Sequence, residues 1–198
     1  MDHSNNGKMR GDSEKKSSIL QTASNLFAQY GYHTVGVDRI IAESGVAKKT
    51  MYSHFSSKEL LIEEVLHNRM MSVHEAIDSA IKRHANPMDK LKAIFEWHHA
   101  WFQAPQFRGC MFMHAAAEFG DQGNRIHRVV EMQKAQLTDQ MKGILQEAGY
   151  RSAASTKLAK ALVMLLDGAI VSAEVSKNHR AAREAWSIAQ ALLETNKT

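Results

Sequence analysis

An all-α fold of nine helices is the architecture that this sequence predicts, and three observations predict it. The 198 residues contain only two prolines, Pro87 and Pro105, and proline is the residue least compatible with a helix interior. The rest of the chain is rich in Ala, Leu, Met, Lys, Glu and Gln, which favour helix. Apolar residues recur at three- and four-residue spacing, the period of an amphipathic helix and not that of a strand.

The first helix is expected to begin at Asp12 or Ser13 and to end at Gly31. Its apolar positions follow helical spacing and include Ile19, Leu26 and Phe27, and a glycine is a common residue just beyond a helix. Residues 1–12 are polar and contain two glycines. We therefore expect 1–12 to be a flexible N-terminal arm.

Two short helices near 37–44 and 47–54, joined by a turn at Gly45, predict a helix-turn-helix within a domain spanning 13–57. The second helix turns Met51 and Phe55 inward and carries an unusually polar outer surface. That surface indicates a polar, anionic partner, and the layout favours the major groove of double-stranded DNA. The expected contacts on this helix are Lys48, Lys49, Thr50, Tyr52, Ser53 and His54.

The remaining six helices are expected within 58–198, with Ser56 or Ser57 capping the first of them and Asn86 capping the second. Pro87 suits the first turn of a helix. Glycines and polar loops separate the later segments. The expected helices are 58–84, 87–104, 107–119, 124–148, 152–177 and 180–195.

The last two helices are expected to form a homodimer interface. The penultimate helix is apolar around most of its circumference, so it should be buried on more than one side. Small residues in the last helix would allow close approach in a four-helix bundle with two-fold symmetry. The alternative is that both helices only complete the core of one protomer. The residues assigned to dimerisation are Leu158, Leu162, Leu165, Leu166, Ala169, Ile170, Ala173, Ala185, Ile188 and Leu192.

A small-molecule pocket is expected between residues 87 and 148, and the domain 58–198 would then bind a ligand as well as dimerise. Aromatic, methionine and histidine side chains cluster there, which is typical of an apolar pocket with a few polar anchors. A well-packed core with exposed histidines is the alternative. Asp167, in the penultimate helix, is a second candidate anchor, and it could equally be a buried, paired structural carboxylate. The expected ligand contacts are Phe95, His98, Trp101, Phe102, Cys110, Met111, Met113, His114, Glu118 and Asp167.

No cofactor and no metal is expected. Cys110, His114 and Glu118 are spaced by four residues and would share one helix face, so a metal or redox sensor is a lesser alternative. A lone cysteine excludes an internal disulfide. No phosphate-binding loop, nucleophile elbow or paired-carboxylate pattern is present, so we expect no enzyme and no catalytic residues.

The overall charge of the chain is compatible with DNA binding but does not by itself predict it. The net charge is +4 and the isoelectric point is about 9.2, but residues 1–60 hold eight Lys and Arg against six Asp and Glu, a net of +2. The prediction therefore rests on where the cations lie. We expect a cytoplasmic protein with no membrane partner, because no apolar run approaches the roughly 20 residues of a membrane span.

Residues 19–66 resemble the TetR family of bacterial transcriptional regulators. The resemblance lies in Leu26-Phe27, Tyr30-Gly31-Tyr32, Val37-Asp38-Arg39-Ile40, Gly45-Val46-Ala47-Lys48, Thr50-Met51-Tyr52, His54-Phe55 and Ser57-Lys58-Glu59-Leu60. A branch of that family is similar to this chain at Arg108-Gly109-Cys110-Met111-Phe112, at Ala115-Ala116-Ala117-Glu118-Phe119 and at Leu166-Asp167-Gly168-Ala169-Ile170-Val171.

The resemblance implies how this chain would meet DNA. Tyr52 and Lys58 would contact phosphates, the latter beside a helix N-terminus. His54 stands where the family often has a tyrosine. Family members often have a hydroxyl residue just before the first helix of the motif, whereas this chain has Val35 and Gly36 there, with Thr34 as the nearest candidate for a phosphate contact.

The function expected from the sequence is that of a one-component repressor, which binds an inverted-repeat operator as a homodimer. A small, largely apolar or aromatic effector would release it from DNA. The alternative is a dimeric helical adaptor that has lost DNA binding.

Overall fold

Nine helices in chain order make up the part of the molecule that the computed structural model describes, residues 3–121 and 123–196, with side chains described from residue 11 onward. The described segments contain no strand, as the sequence predicts. The helices are α1 (His3–Tyr30), α2 (Val37–Ser44), α3 (Lys48–His54), α4 (Lys58–Ile81), α5 (Pro87–Phe102), α6 (Met111–Glu118), α7 (Arg125–Glu147), α8 (Ser152–Val175) and α9 (Ala181–Thr195).

The expected start of α1 at Asp12 or Ser13 is wrong, because the helix already begins at His3. Extending an existing helix costs far less than nucleating one. Gly7 and Gly11 each disfavour helix by only about 1 kcal/mol relative to alanine, and no proline intervenes. The expected arm is thus helical from residue 3, and residues 1 and 2 lie outside the described residues.

The boundaries of most other helices agree with the periodicity of the sequence. Asn86 caps α5 as expected, since its side-chain oxygen accepts a hydrogen bond of 2.8 Å from the backbone N–H of Met88. The exception is α6, which begins at Met111 and not near 107. Gly109 lies in the left-handed region at φ 78°, a conformation that a right-handed helix does not contain.

The chain forms two compact units. Unit 1 comprises Met1–Arg69 and Met111–Val130. In it α1 packs against α2 and α3. The centre of unit 1 is apolar and contains the buried side chains Ile19, Phe27, Tyr32, Ile40, Met51, Phe55, Leu61 and Leu66.

Unit 2 comprises Met70–Cys110 and Glu131–Thr198. Here α8 and α9 pack against each other, and α5 packs against both. The buried core of unit 2 includes Leu91, Phe95, Phe102, Met141, Leu145, Leu162, Leu166 and Leu193. Because α4 crosses residue 69, this one continuous helix contributes residues to both units.

Candidate nucleic-acid interface

The outer surface of α3 in unit 1 is polar and exposed. Lys48, Lys49 and Ser53 are exposed, Tyr52 is 47% exposed, and Thr50 is half-buried. Beneath them Met51 and Phe55 are buried, as the sequence predicts. A seven-residue helix is marginal on its own. These two apolar side chains therefore anchor α3 to the core of unit 1 and leave its outer face to a partner.

The turn between α2 and α3 holds the two helices in a fixed relation. Gly45 ends α2 in the left-handed conformation, at φ 69°. Lys48 Nζ lies 3.3 Å from Asp38 Oδ1, and both side chains are largely exposed. An exposed pair of this kind contributes little to stability. Lys48 thus remains free to exchange Asp38 for a phosphate.

Arg39 ties α2 to the end of α1. Its Nε donates to Glu43 Oε1 at 2.7 Å, and its guanidinium lies 4.2 Å from the centre of the Tyr30 ring. The hydrogen bonds to Glu43 and Tyr30 raise the pKa of the Arg39 guanidinium. Sequence reasoning gave Arg39 no separate role, and only the juxtaposition of Tyr30 and Glu43 reveals it.

The expectation that His54 contacts DNA is corrected by the structure. The side chain is only 11% exposed, and its Nε2 lies 3.3 Å from Asp12 Oδ1 on α1. Its ring also lies beside that of Phe55, with centroids 6.3 Å apart. His54 faces the interior of unit 1 because the last turn of α3 rotates it toward α1. It therefore serves the packing of α3.

Glu118, at the end of α6, binds the turn that follows α1. Its Oε1 accepts a hydrogen bond of 2.9 Å from the backbone N–H of Tyr32, and its Oε2 accepts one of 2.6 Å from that of His33. The Tyr32 hydroxyl donates to the carbonyl of Met111 at 2.8 Å. Gly31 allows this approach, since a Cβ there would lie 2.9 Å from Glu118 Oε1. Both ends of α6 are thus tied to the turn that precedes α2.

Lys58 is half-buried at the start of α4 and donates to the carbonyl of His33 at 3.3 Å. Burial lowers the pKa of its ammonium, and the neighbouring carboxylates of Glu118 and Glu59 oppose that change. The cation therefore supports the same turn that Glu118 binds. A phosphate contact by Lys58 stays a prediction.

The start of α2 bears no side-chain cap. Gly36 is the N-cap residue, with φ −79° and ψ 151°, and Thr34 is exposed two residues earlier. The uncapped N–H groups at this end are a suitable site for an anion. Thr34 as a phosphate contact also stays a prediction.

Two family models match this chain. The model for bacterial regulatory proteins of the tetR family matches residues 19–65, which contain the helix-turn-helix just described. The model for the tetracyclin repressor-like C-terminal domain matches residues 87–189, more than half of the chain.

The chain belongs to the TetR family.

Curated relatives of this TetR-family chain are transcriptional regulators. It is 37% identical over 100 residues to the uncharacterized HTH-type transcriptional regulator YxaF of Bacillus subtilis, a match covering 43% of this chain and 51% of YxaF. It is 32% identical over 83 residues to the HTH-type transcriptional activator FasR of Mycolicibacterium smegmatis, covering 42% of this chain and 38% of FasR. The chain thus spans about half or less of the length of these relatives.

Solved structures of other family members share the fold over almost their full length. A TetR-family regulator from Streptomyces coelicolor superposes with a TM-score of 0.88 and 27% identity, covering 94% of this chain and 97% of that one. A putative regulator from Streptomyces avermitilis gives a TM-score of 0.80 and 25% identity, covering 92% and 97%. This protein is therefore a helix-turn-helix transcriptional regulator of the TetR family.

The residues expected to line an effector pocket are divided between the two units of this TetR-family protein. Met111, Met113, His114 and Glu118 belong to unit 1, and the other six belong to unit 2. Glu118 is engaged by the turn after α1, and a ligand contact by Glu118 stays a prediction. Asp167, half-buried on α8, forms an ion pair with Lys134 on α7. The structure therefore favours the structural reading of Asp167.

Three of the expected ligand contacts belong to the core of unit 2. Phe102 is fully buried, and Phe95 packs against Trp186 with ring centroids 5.2 Å apart. His98 is buried, and its Nδ1 donates to the carbonyl of Ile94 at 2.8 Å. Burial, opposed by this hydrogen bond and aided by Lys134, lowers the pKa of His98 to about 4. At neutral pH the imidazole is uncharged and acts as a core side chain.

The assignment of dimer contacts needs a similar correction. Most of the ten residues are already buried in unit 2 of a single chain, so their apolar area gains nothing from a partner. Leu165 and Leu192 are half-buried, and Ile188 is 58% exposed. The buried seven are Leu158, Leu162, Leu166, Ala169, Ile170, Ala173 and Ala185. Helical periodicity finds the apolar positions but does not distinguish inward from outward faces of a helix that is apolar all round.

The outward apolar face of α8 is formed by other residues, which we call the α8 stripe: Met164, Gly168, Val171 and Val175. Met164 is 67% exposed, Val171 44% and Val175 74%. The spacings of four, three and four residues place them on one side of the helix. Exposed apolar residues aligned in this way form an apolar patch, a feature typical of protein–protein interaction sites.

A metal site finds no support within the described residues, where no three His, Cys, Asp or Glu groups lie close enough to hold an ion. Cys110 lies before α6 and not within it, and it is buried. Burial in apolar surroundings disfavours a reactive thiolate. None of the helices in the described part of the chain has the length and apolarity that crossing a membrane requires.

Proposed function

We propose that this regulator is a homodimeric, one-component repressor that binds an inverted-repeat operator in double-stranded DNA and is released by a small, largely apolar or aromatic effector. Residues 13–57 are the proposed DNA-binding domain, and 58–198 the ligand-binding and dimerisation domain. The observation that carries the proposal is the surface of α3. Its polar side chains face outward while Met51 and Phe55 fix the helix from below.

Contact with DNA is assigned to seven exposed or half-buried residues of unit 1. In this arrangement the N-terminal half of α3 enters the major groove. Lysine side chains there reach phosphates or guanine acceptors, and the Tyr52 hydroxyl donates to a phosphate oxygen. The assigned residues are Lys48, Lys49, Thr50, Tyr52 and Ser53, with Thr34 and Lys58 on flanking phosphates.

Dimerisation is assigned to the α8 stripe together with Ile188 on α9. One helix-turn-helix reads too few base pairs for specificity in a genome. A symmetric dimer would present two copies of α3 to successive major-groove faces, so its operator would be an inverted repeat. The apolar, exposed character of the stripe supports this assignment.

Release by an effector is proposed through α4 and α6. The helix α4 is continuous between the two units, and α6 binds the turn before α2 through Glu118. An effector that changes the position of either helix would change the distance between the two copies of α3 in the dimer. DNA binding and effector binding would then oppose each other reciprocally, with a coupling of roughly 1–3 kcal/mol.

Selection of bound duplexes from a random DNA pool at about 150 mM salt tests the proposal, since non-specific binding is weak at that ionic strength. Recovery of an inverted repeat is expected. Lys49→Ala should weaken its binding about tenfold and Lys92→Ala, an exposed lysine on α5, should leave it unchanged. Failure to recover any specific duplex would contradict the proposal. Transcription from a promoter carrying the selected repeat then separates a repressor from an activator.

A further inference from the structure

One surface groove of unit 2 has the composition of a ligand site. It lies where the end of α5 and the loop before α6 meet the end of α8 and the connection to α9, and its volume is about 530 Å³. Small-molecule sites generally span roughly 300–1,000 Å³. The groove is lined by Phe102, Gln103, Ala104, Pro105, Phe107, Arg108, Ala173, Lys177 and His179.

The apolar wall of the groove is aromatic and rigid. The Phe107 ring packs against Phe102 with centroids 5.2 Å apart and against Trp101 at 4.9 Å, nearly perpendicular. Trp101 in turn stacks on Trp97 at 5.9 Å. The wall therefore keeps its shape when a ligand ring or alkyl chain lies against Phe107.

The polar rim of the groove is cationic. Arg108 and Lys177 carry positive charge, and none of the nine lining residues is acidic. Arg108 is held by bonds from one terminal nitrogen to the carbonyls of Phe107 at 2.7 Å and Pro105 at 3.1 Å. The other N–H groups of its guanidinium fork are not used by these bonds. A fork oriented in this way suits a carboxylate.

The carboxylate of Glu174 lies close to the loop before α6 but is not part of the groove lining. Glu174 on α8 lies against Gly109, where a Cβ would come within 1.9 Å of its Oε2. The absence of a side chain at Gly109 therefore lets the backbone of the loop before α6 lie directly against the Glu174 carboxylate. Because none of the lining residues carries a carboxylate, Arg108 and Lys177 make the lining of the groove positive.

The connection between α8 and α9 is shaped to place Lys177 at the groove. Lys177 has φ 55°, the left-handed region, and its Nζ donates to the carbonyl of Glu174 at 2.8 Å. His179 Nδ1 donates to the carbonyl of Phe102 at 2.8 Å, and His99 Nδ1 donates to that of His179 at 2.9 Å. A residue in the left-handed conformation directly after a helix is a common helix ending, and this ending places Lys177 at the rim of the groove.

We propose that this groove binds a small aromatic or alkyl carboxylate, with its apolar body against Phe107 and its carboxylate between Arg108 and Lys177. This assignment rests on the proposed function, because it names the class of effector. Val175, the end of the α8 stripe, lies two residues before Lys177. A ligand in the groove thus adjoins the proposed dimer surface.

Calorimetric titration of the DNA-free protein with 2-naphthoate and with its neutral amide, 2-naphthamide, tests the assignment. Naphthoate should bind at least tenfold more tightly than the amide. Arg108→Gln and Lys177→Asn should each weaken naphthoate binding about tenfold and change amide binding little. Asparagine tolerates the left-handed conformation at 177, and thermal unfolding confirms that each variant is folded. Arg151→Gln, an exposed arginine at the start of α8, is the matched control and should bind like the parent.

Three outcomes would each overturn the groove assignment. They are equal affinities for naphthoate and naphthamide, no binding of either compound, and an Arg108→Gln variant that binds naphthoate as tightly as the parent. Release of DNA by the effector, which belongs to the proposed function, is tested by a separate measurement on the selected duplex. Naphthoate that binds through Arg108 yet leaves the selected DNA bound supports the groove and contradicts release by this ligand class. Phe107→Ala should weaken both acid and amide, since it removes the apolar wall.

Discussion

The Glu118 carboxylate and the backbone N–H of Tyr32 are joined by a hydrogen bond of 2.9 Å, although the two residues are 86 positions apart. The bond from His33 N–H to the same carboxylate is 2.6 Å. A carboxylate that accepts two backbone N–H groups forms stronger hydrogen bonds than a neutral acceptor. Glu118 thereby fixes the turn that delivers the chain from α1 into the helix-turn-helix.

Replacing Glu118 should destabilise the protein. Glu118→Gln keeps one acceptor oxygen and should lower the free energy of unfolding by about 1 kcal/mol, while Glu118→Ala should lower it by about 2 kcal/mol. Urea unfolding followed by circular dichroism measures both. Glu75→Ala, an exposed acid on α4, is the control and should change stability little. Equal effects of Glu75→Ala and Glu118→Ala would contradict a specific role for the Glu118 carboxylate.

Alanine substitutions at Gly109 and Gly149 would distinguish the cost of backbone strain from the cost of steric overlap. Both have positive φ, 78° and 92°, so alanine should cost about 1–2 kcal/mol at either site. At Gly109 the new Cβ also meets Glu174 Oε2 at 1.9 Å, whereas nothing lies within 4 Å at Gly149. Gly109→Ala should therefore cost about 3–5 kcal/mol in total. Urea unfolding measures the free energy of unfolding of both variants. Similar decreases for Gly109→Ala and Gly149→Ala would show that the Glu174 side chain moves aside at little cost.

His98 should make stability depend on pH. Its pKa is about 4 in the folded protein, below its ordinary value of 6.5, so the unfolded chain binds more protons between these pH values. The stabilising contribution is complete above pH 6.5 and is lost as the pH falls toward 4. It should decrease by roughly 2 kcal/mol between pH 7 and pH 4.5.

Urea unfolding of the parent and of His98→Gln at several pH values measures this contribution. Glutamine does not titrate, so the variant should lose less stability on acidification than the parent. Because the other histidines are common to both proteins, their titration cancels in the comparison. Parallel pH profiles for the two proteins would contradict the lowered pKa.

The α8 stripe should control oligomeric state. Met164→Asp places a charge on a side chain that is 67% exposed in one chain, so the fold should tolerate it while a proposed dimer would bury it. We expect a monomer by light scattering and at least a tenfold loss of affinity for the selected DNA. Met132→Asp, on α7 and 45% exposed, should leave both properties unchanged. A dimeric Met164→Asp variant would exclude the stripe from the interface.

Tyr52 and His54 should differ in their effect on DNA binding although they are two residues apart. Tyr52→Phe removes a hydroxyl from an exposed side chain and should weaken operator binding about five- to tenfold. His54→Gln alters a side chain that faces Asp12, so it should change the affinity less than twofold. Fluorescence anisotropy with the selected duplex measures both constants. The reverse order of effects would reinstate His54 as a DNA contact.

Much of the architecture follows from local pattern. Apolar spacing, Pro87, Gly31 and Gly45 located most helices within a few residues, because helix period and helix ends are set by neighbours in sequence. The same patterns were wrong about the start of α1, where continued propagation outweighed two glycines. They were wrong about the start of α6 as well, where Gly109 adopts a left-handed conformation that permits close contact with Glu174.

The sequence by itself determined that this chain is helical, that it carries a helix-turn-helix, and that it is a TetR-family regulator. Those properties depend on spacing and on motifs that are contiguous in the chain. Only the tertiary structure decided which apolar residues of α8 face outward, that His54 turns to α1, and that Glu118 binds the turn after α1. It alone brought Arg108 and Lys177 to one groove. These relationships join residues distant in sequence, and their geometry arises from packing, which no local pattern encodes.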